Sequence, residues 1–222
     1  MNRLEKIFAR KSRALMICDV CGVPDSPERL RMIINSGADI VNLIIPFSDP
    51  MADGAVIQQA AQKALNSGAT LQKILQMIKV LRSEYPETGM IVSGYSNVFL
   101  QYGWEKLFAE LAELEIDGIA VSDMPFEERS EITAFTAEYN VPFIVDTGLT
   151  ADKARLQKIT AGAGGFVICG NAEAFDLLRT VSPVPAATAA DAGVKSPLII
   201  ASAVEQTLPE LAAYVEKSVN QR

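Results

Sequence analysis

The chain has 222 residues, of which 49% are hydrophobic, 21% are charged and 7% are aromatic, and its formal net charge at pH 7 is −7. This balance is typical of a globular protein, and the negative charge disfavours binding to nucleic acid or to an anionic membrane surface. The apolar runs are too short to span a bilayer, and the first residues lack the apolar region of a signal peptide. We therefore expect a cytoplasmic protein.

Apolar segments alternate with amphipathic segments along the chain. Apolar runs rich in β-branched residues predict strands at residues 14–20, 40–46, 90–95, 118–121, 142–146, 165–169 and 197–201. The intervening and following patterns predict helices at residues 28–36, 58–66, 70–85, 104–114, 125–139, 150–160, 173–180 and 208–218. Thr70 stands at a helix start, where threonine is a favoured cap, and Gly37 follows the end of the first helix.

The regular order of strand and helix predicts an α/β fold with a parallel sheet, either closed or open. Residues 184–189 form a weak candidate for an eighth strand, inside a stretch at 181–196 that is rich in Ala and Pro. A (β/α)8 barrel typically needs about 250 residues. We therefore expect one domain over residues 1–222, shortened or irregular in its last quarter, with 181–196 as an irregular connection.

The chain contains three cysteines, Cys18, Cys21 and Cys169, and no histidine. An odd and sparse number of cysteines argues against a disulfide framework. Cys18 and Cys21 form a C-x-x-C motif, but a turn follows it where a redox motif would place a helix. Because zinc sites usually draw on histidine and several thiolates, we expect no metal site and interpret these residues as small buried side chains.

The loop after the second predicted strand is the most distinctive stretch. Residues 45–54 read Ile-Pro-Phe-Ser-Asp-Pro-Met-Ala-Asp-Gly, and Asn42 is the one polar side chain of the preceding strand. Because side chains alternate along a strand, Ile40, Asn42 and Ile44 share one face of the sheet. If the sheet closes into a barrel, this face predicts that Asn42 points into the barrel. An amide is neutral and cannot transfer a proton, so this position lacks the carboxylate that acid–base chemistry would use.

These segments resemble the alpha subunit of tryptophan synthase. The resemblance runs from about Leu4 to Leu178 and is weak beyond; its motifs are Ser36-Gly37-Ala38-Asp39, the 45–54 loop with Ile57-Gln58 behind it, Tyr95-Ser96-Asn97 and Val121-Ser122-Asp123-Met124-Pro125. It implies a (β/α)8 TIM barrel that cleaves indole-3-glycerol phosphate to indole and glyceraldehyde 3-phosphate. It also implies docking on a beta subunit that carries pyridoxal phosphate, in an alpha–beta–beta–alpha complex, with no cofactor in the alpha subunit itself.

The resemblance implies two acid–base carboxylates, of which this chain keeps one. The aspartate of the family's Ala-Asp-Gly triplet corresponds to Asp53, whereas the family's glutamate on the second strand corresponds to Asn42. A family tyrosine is replaced by Ile168, and the late segment Ala201-Ser202-Ala203 lacks the glycine of a phosphate-binding turn. The resemblance also assigns further residues: Cys18, Tyr95, Asp123 and Ile168 to the substrate pocket, and Pro46, Phe47, Ser48, Asp49, Pro50 and Asn97 to the contact with the beta subunit.

The residues that the resemblance assigns to the beta-subunit contact match the family pattern. Several residues at the positions for catalysis and phosphate binding do not. We therefore hypothesise a catalytically impaired alpha subunit that binds a beta subunit and shifts it to its active state. Other functions stay open: an active lyase of indole-3-glycerol phosphate, a barrel enzyme that pairs Asp53 with Asp19 or Asp146 on another small substrate, and a binding module for indole.

Local structural roles are alternatives for several of these side chains. Asp53 and Asn97 are suited to cap the helices that follow them, and Asp49 is suited to a turn before Pro50. Asp123 is suited to stabilise its own turn. Asn42 is suited to a hydrogen bond with Asp53 or with a nearby carbonyl group.

Overall fold

The computed structural model describes residues 2–148, 152–189 and 196–220. Eight strands lie within these ranges: β1 Ala14–Val20, β2 Ile40–Ile44, β3 Gly89–Gly94, β4 Gly118–Val121, β5 Val145–Asp146, β6 Val167–Cys169, β7 Ala186–Ala189 and β8 Leu198–Ser202. The same ranges contain ten α-helices: α1 Arg3–Arg10, α2 Ser26–Asn35, α3 Ala55–Asn66, α4 Leu71–Glu84, α5 Ser96–Tyr102, α6 Trp104–Glu113, α7 Ser130–Glu138, α8 Lys153–Thr160, α9 Ala172–Val181 and α10 Leu208–Asn220. A short 3-10 turn at Phe126–Glu128 precedes α7.

The strands form a closed parallel barrel. Their order is β4-β3-β2-β1-β8-β7-β6-β5, and every neighbouring pair is parallel. A parallel bridge between Ile119 of β4 and Phe143, just before β5, joins the two ends of this sheet. The predicted (β/α)8 barrel is therefore confirmed, and the choice between a closed and an open sheet is settled by this bridge.

Two apolar layers hold the barrel together. The inward side chains pack inside it around Met16, Ile40, Ile91, Phe166 and Leu198. The outward side chains of the same strands pack against the surrounding helices in separate clusters. Strands that are apolar on both faces are typical of parallel sheets covered by helices, which explains why the sequence shows continuous apolar runs there.

Helix α1, which the sequence analysis did not predict, fills the amino-terminal end of the barrel. Leu4 is fully buried there, with Ile7 and Phe8 packed beside it. Glycines make room for this helix: a Cβ on Gly89 would lie 3.2 Å from Ile7, and one on Gly165 would lie 2.8 Å from Leu4. Because this end is filled, the interior of the barrel opens at the carboxyl ends of the strands.

The last quarter of the chain is more regular than expected. Strand β7 runs through the segment 181–196 that was expected to be an irregular connection, and it pairs with both β6 and β8. The weak prediction of a strand at 184–189 was therefore correct. The expectation of an irregular connection over 181–196 was wrong for the residues of β7. Residues 190–195 and 149–151 lie outside the described residues, so the predicted start of a helix at residue 150 is not covered.

Two predicted helices differ in detail. The segment 125–139 contains the short 3-10 turn followed by α7, and α5 adds a helix before α6. Gly103 separates α5 from α6 with a φ of 94°, a conformation that favours glycine. In the part of the chain that the structure covers, no helix combines the length and apolar character needed to cross a membrane.

Candidate functional site

A cavity of about 420 Å³ opens at the carboxyl ends of the strands. We call it the mouth cavity. Apolar side chains form most of its wall, and they include Ile44, Ile57, Met124, Ile144, Ile168 and Ile200. The polar and charged side chains in the same wall include Asn42, Asp53, Tyr95, Arg129, Asp146 and Ser202. An apolar cleft with a few convergent polar groups at this face of the barrel is the usual setting of a binding or active site.

The structure brings together most of the predicted site residues. Asn42, Asp53, Tyr95, Cys18 and Ile168 all line the mouth cavity. Asp123, predicted for the same pocket, lines a neighbouring cavity instead. Its carboxylate accepts hydrogen bonds from the Ser96 backbone N–H (2.7 Å) and hydroxyl (2.8 Å), so it holds the start of α5.

Asp53 is held at the rim by Tyr95. The Tyr95 hydroxyl donates a hydrogen bond of 2.7 Å to the Asp53 carboxylate and accepts one of 3.0 Å from the Ala52 N–H. The Phe47 ring packs on the Tyr95 ring with centroids 5.2 Å apart. The alternative that Asp53 caps the next helix was wrong, because Gly54 is the N-cap of α3 and no side chain bonds its first turn.

The tyrosine in this pair stays protonated. Burial raises the pKa of Tyr95, and the hydrogen bond to Asp53 raises that pKa further because a tyrosinate could not donate it. The phenol therefore acts as a fixed donor that orients one oxygen of the Asp53 carboxylate. The other carboxylate oxygen accepts no hydrogen bond from the described residues.

We expect Tyr95→Phe to lower the free energy of unfolding by about 1–3 kcal/mol, because it removes two partly buried hydrogen bonds, one of them to a charged carboxylate. Tyr139→Phe is the matched control, since the Tyr139 hydroxyl makes no hydrogen bond to any described residue. Urea unfolding of both variants measures the difference. Equal loss in the two variants would show that the Tyr95 hydroxyl does not hold the rim.

Asn42 points into the mouth cavity, as its place in β2 predicts. Its side-chain nitrogen Nδ2 lies 3.5 Å from the Cys18 sulfur, and its Oδ1 is buried without a hydrogen-bond partner among the described residues. The expected bond to Asp53 or to a neighbouring carbonyl is not formed. Because buried polar atoms are nearly always satisfied, this oxygen is an acceptor available to a donor on a ligand.

The cysteines are neutral thiols in this environment. Burial raises the pKa of Cys18 to about 11 and that of Cys169 to about 11. Cys18 faces the mouth cavity, whereas Cys21 is buried in the packing between strands and helices. The two thiols of the C-x-x-C motif therefore point in different directions, one into the cavity and one into the packing between strands and helices. This arrangement does not suit a redox pair.

Asp19 does not belong to the mouth, which corrects one of the two predicted carboxylate pairs. Its carboxylate accepts hydrogen bonds from Arg29 Nε at 2.7 Å and Nη2 at 3.0 Å, and both residues are buried. Arg29 also donates to the carbonyl groups of Ala203 (2.8 Å) and Gln206 (2.6 Å). Asp19 therefore points to the outside of β1, where it anchors the loop between β8 and α10.

Asp146 does line the mouth cavity. Its carboxylate accepts a hydrogen bond of 2.8 Å from the Gly148 N–H. The surrounding barrel wall desolvates this carboxylate and raises its pKa, while the bond from Gly148 acts in the opposite direction. Asp53 and Asp146 are thus the two carboxylates that the described residues contribute to the mouth.

The loop at residues 46–54, which we call the rim loop, contains the residues predicted to contact a beta subunit: Pro46, Phe47, Ser48, Asp49 and Pro50. Ser48 donates its hydroxyl hydrogen bond to Asp49, and Met51 next to them is 90% exposed. Asn97 lies in the first turn of α5, where it accepts a bond from Gln101, so its predicted capping role was wrong.

The segment Ala201-Ser202-Ala203, which was considered as a phosphate-binding turn, is hydrogen-bonded to the rest of the barrel. Ser202 lines the mouth cavity, but the Ala203 N–H donates to the Cys18 carbonyl at 2.9 Å. The Ala203 carbonyl accepts from Arg29. The peptide groups of Ala203 are therefore already used in the fold and are not free to bind an anion.

The family model for the tryptophan synthase alpha chain matches residues 10–173. The chain belongs to this family. A tryptophan synthase alpha chain of Halalkalibacterium halodurans is 38% identical over 172 residues, which cover 76% of this chain and 64% of that protein. One from Granulibacter bethesdensis is 34% identical over 228 residues, which cover 93% of this chain and 81% of that protein.

Solved structures share the fold of this alpha chain family member. A protein of Aquifex aeolicus VF5 covers 100% of the chain with a TM-score of 0.92 and 24% identity. A chain of Mycobacterium tuberculosis tryptophan synthase covers 99% with a TM-score of 0.90 and 23% identity. At these identities the likeness concerns the fold. The family model ends at residue 173, shortly after β6, and this limit agrees with the weak resemblance beyond Leu178.

Arg129 is the site residue of this alpha chain that the sequence analysis missed. It lies between the 3-10 turn and α7 and lines the mouth cavity. In the sequence it follows Glu127 and Glu128, which makes it look like part of a solvated charged surface. Its position shortly after the carboxyl end of β4 was the available signal, because such segments reach the mouth of a barrel.

Proposed function

We propose that this alpha chain is a catalytically impaired subunit that binds a tryptophan synthase beta subunit and activates it. The observation that carries the proposal is Asn42. A neutral amide occupies the inward position of β2 beside Asp53 in the mouth cavity. Because an amide cannot exchange a proton with a substrate, the mouth lacks one of the two acid–base groups implied by the family resemblance.

The rim supports a docking role. Met51 on the rim loop is 90% exposed, and Leu100 on α5 is 60% exposed. Large apolar side chains with this exposure near a cleft are typical of a surface that meets a partner protein. The beta subunit would contribute the pyridoxal phosphate, and the complex would be alpha–beta–beta–alpha.

The rim loop also links the proposed contact with the beta subunit to the mouth cavity. It carries the proposed contact residues at one end and Asp53 at the other, and Tyr95 bonds both Asp53 and Ala52. A partner that fixes this loop therefore fixes the Asp53 carboxylate as well. By linkage, the chain activates a beta subunit only if it binds the active state of that subunit more tightly than the inactive state.

The test is the rate at which a cognate beta subunit makes tryptophan from serine and indole, with and without this chain. We expect the chain to co-purify with the beta subunit and to raise that rate. Met51→Asp should weaken both effects, because it places a charge in the proposed apolar contact. Val80→Asp is the matched control, since Val80 is 50% exposed on α4, outside the rim loop. An unchanged beta rate would contradict the activator role.

A second candidate is an acid–base enzyme for another small substrate that uses Asp53 and Asp146. It is favoured by one observation: both carboxylates line the mouth cavity, and burial raises the pKa of Asp146, as suits a general acid. In that case Asp146→Asn would abolish turnover of the substrate. Under the activator role the same variant would leave the beta-subunit rate unchanged.

A further inference from the structure

Arg129 is a half-buried cation that forms no ion pair with a carboxylate among the described residues. Its guanidinium lies over the Phe143 ring at 5.0 Å and over the Phe126 ring at 5.5 Å. It donates one side-chain hydrogen bond, from Nη1 to the Ile159 carbonyl at 2.7 Å, and its buried Nε has no partner. Most of its five donor hydrogens therefore have no acceptor in this part of the protein.

The neighbouring arginine shows the contrast. Arg155 also lies over the Phe126 ring, but it forms an ion pair with Glu127 through two hydrogen bonds. Arg129 has no comparable ion pair among the described residues, and burial lowers its pKa. A guanidinium that is partly desolvated and has no directly bonded carboxylate is less stabilised than one in an ion pair, so an anion placed beside Arg129 gains more than one placed beside Arg155.

The position of Arg129 directs it toward a ligand. It lines the mouth cavity and also a second cavity of about 520 Å³ outside it, which we call the outer cavity. Among the described residues it is the one cation in the wall of the mouth cavity. Ser122, whose side chain is exposed, lines both cavities with it and adds a hydroxyl donor.

We propose that Arg129 is the anion anchor of the mouth cavity: it binds the carboxylate or phosphate group of a small ligand whose apolar body rests on the isoleucines of the barrel wall. The anchor stands on the side of β4 and β5, across from the segment after β8 where Ala203 is already bonded within the fold. This inference goes beyond the proposed function by naming a class of ligand for the mouth cavity, and it does not need the beta subunit.

Asp146 opposes this anion and tunes the site. It lines the same two cavities as Arg129, yet the two side chains form no ion pair. An anion bound at Arg129 therefore also meets the field of the Asp146 carboxylate. Removing that negative charge should strengthen anion binding.

The experiment compares indole-3-acetate with indole-3-acetamide, which differ in charge and share their aromatic body. We expect calorimetric titration of the isolated chain to show that the acetate binds roughly tenfold more tightly than the amide, as for a hydrogen bond to a charged group. Arg129→Gln should remove this preference, and Arg129→Lys should retain part of it. Arg155→Gln is the matched control for charge and should keep it, and Asp146→Asn should increase it.

Inorganic phosphate distinguishes the two kinds of anion. Competition with indole-3-acetate at millimolar phosphate assigns the anchor to phosphoryl groups as well, and the absence of competition assigns it to carboxylates. Equal binding of the two indole compounds by the natural chain would overturn the proposal. So would an undiminished preference for the acetate in a folded Arg129→Gln variant, or no binding of either compound. None of these results bears on beta-subunit activation, so the two proposals fail separately.

Discussion

Indole-3-glycerol phosphate is expected to be cleaved by this chain about 10²–10⁴-fold more slowly than by family members with both acid–base carboxylates. The physical reason is the amide of Asn42, which stays neutral and exchanges no proton with the substrate. Indole release at saturating substrate, measured for the chain alone and with a beta subunit, gives the rate. Cleavage at the rates of such family members would rule out an impaired subunit.

Restoring the missing carboxylate alone is expected to recover only part of this rate. Asn42→Glu would place an acid beside Cys18 in the mouth cavity, but Ile168 would still stand where the resemblance implies a tyrosine. Asn42→Gln is the matched control, because it has the length of glutamate without its charge. Recovery of full turnover from Asn42→Glu would show that Asn42 is the sole cause of the impairment.

Arg29→Ala is expected to lower the free energy of unfolding by about 3–5 kcal/mol, because it leaves the buried Asp19 carboxylate without its counter-charge. The same change removes the hydrogen bonds to the Ala203 and Gln206 carbonyl groups. Urea unfolding measures the loss. The β8–α10 loop should also become easier to cleave with protease, since Arg29 is its link to β1.

Two further variants isolate the buried charge as the cause. Arg31→Ala removes an arginine of the same helix whose pair with Glu84 is solvent-screened, and should cost much less than Arg29→Ala. Asp19→Leu combined with Arg29→Met removes both buried charges and should be more stable than Arg29→Ala. A loss for Arg29→Ala as small as that for Arg31→Ala would contradict the interpretation.

Strand positions could be predicted from the sequence where packing leaves a continuous apolar run. Strand β1 spans Ala14–Val20, the same residues that the apolar run indicated. Strand β7 was a weak prediction because Ala186–Ala189 is made of small residues that form strands without a strong β preference. Helix α1 was missed because half of Arg3–Arg10 is charged, and its three large apolar side chains are covered only through contact with the barrel.

The positions of side chains in the mouth cavity were predicted best where strand geometry decides side-chain direction. The alternation of side chains in β2 placed Asn42 inside the barrel, and the loop that follows it brought Asp53 to the same cavity. The role of Asp19 was not readable, because its partner Arg29 comes from a neighbouring helix and their contact depends on tertiary packing. Arg129 was hidden for a similar reason, since its burial comes from Phe126 and Phe143.

The filled amino-terminal end of the barrel gives the rim loop an additional importance. Leu4 and its neighbours on α1 close the amino-terminal end of the barrel. Small molecules therefore exchange with solvent through the opposite end, which the rim loop borders. A protein seated on that loop would therefore slow both entry and escape. Residence time of a trapped molecule, rather than its affinity, would then be the quantity that a partner controls.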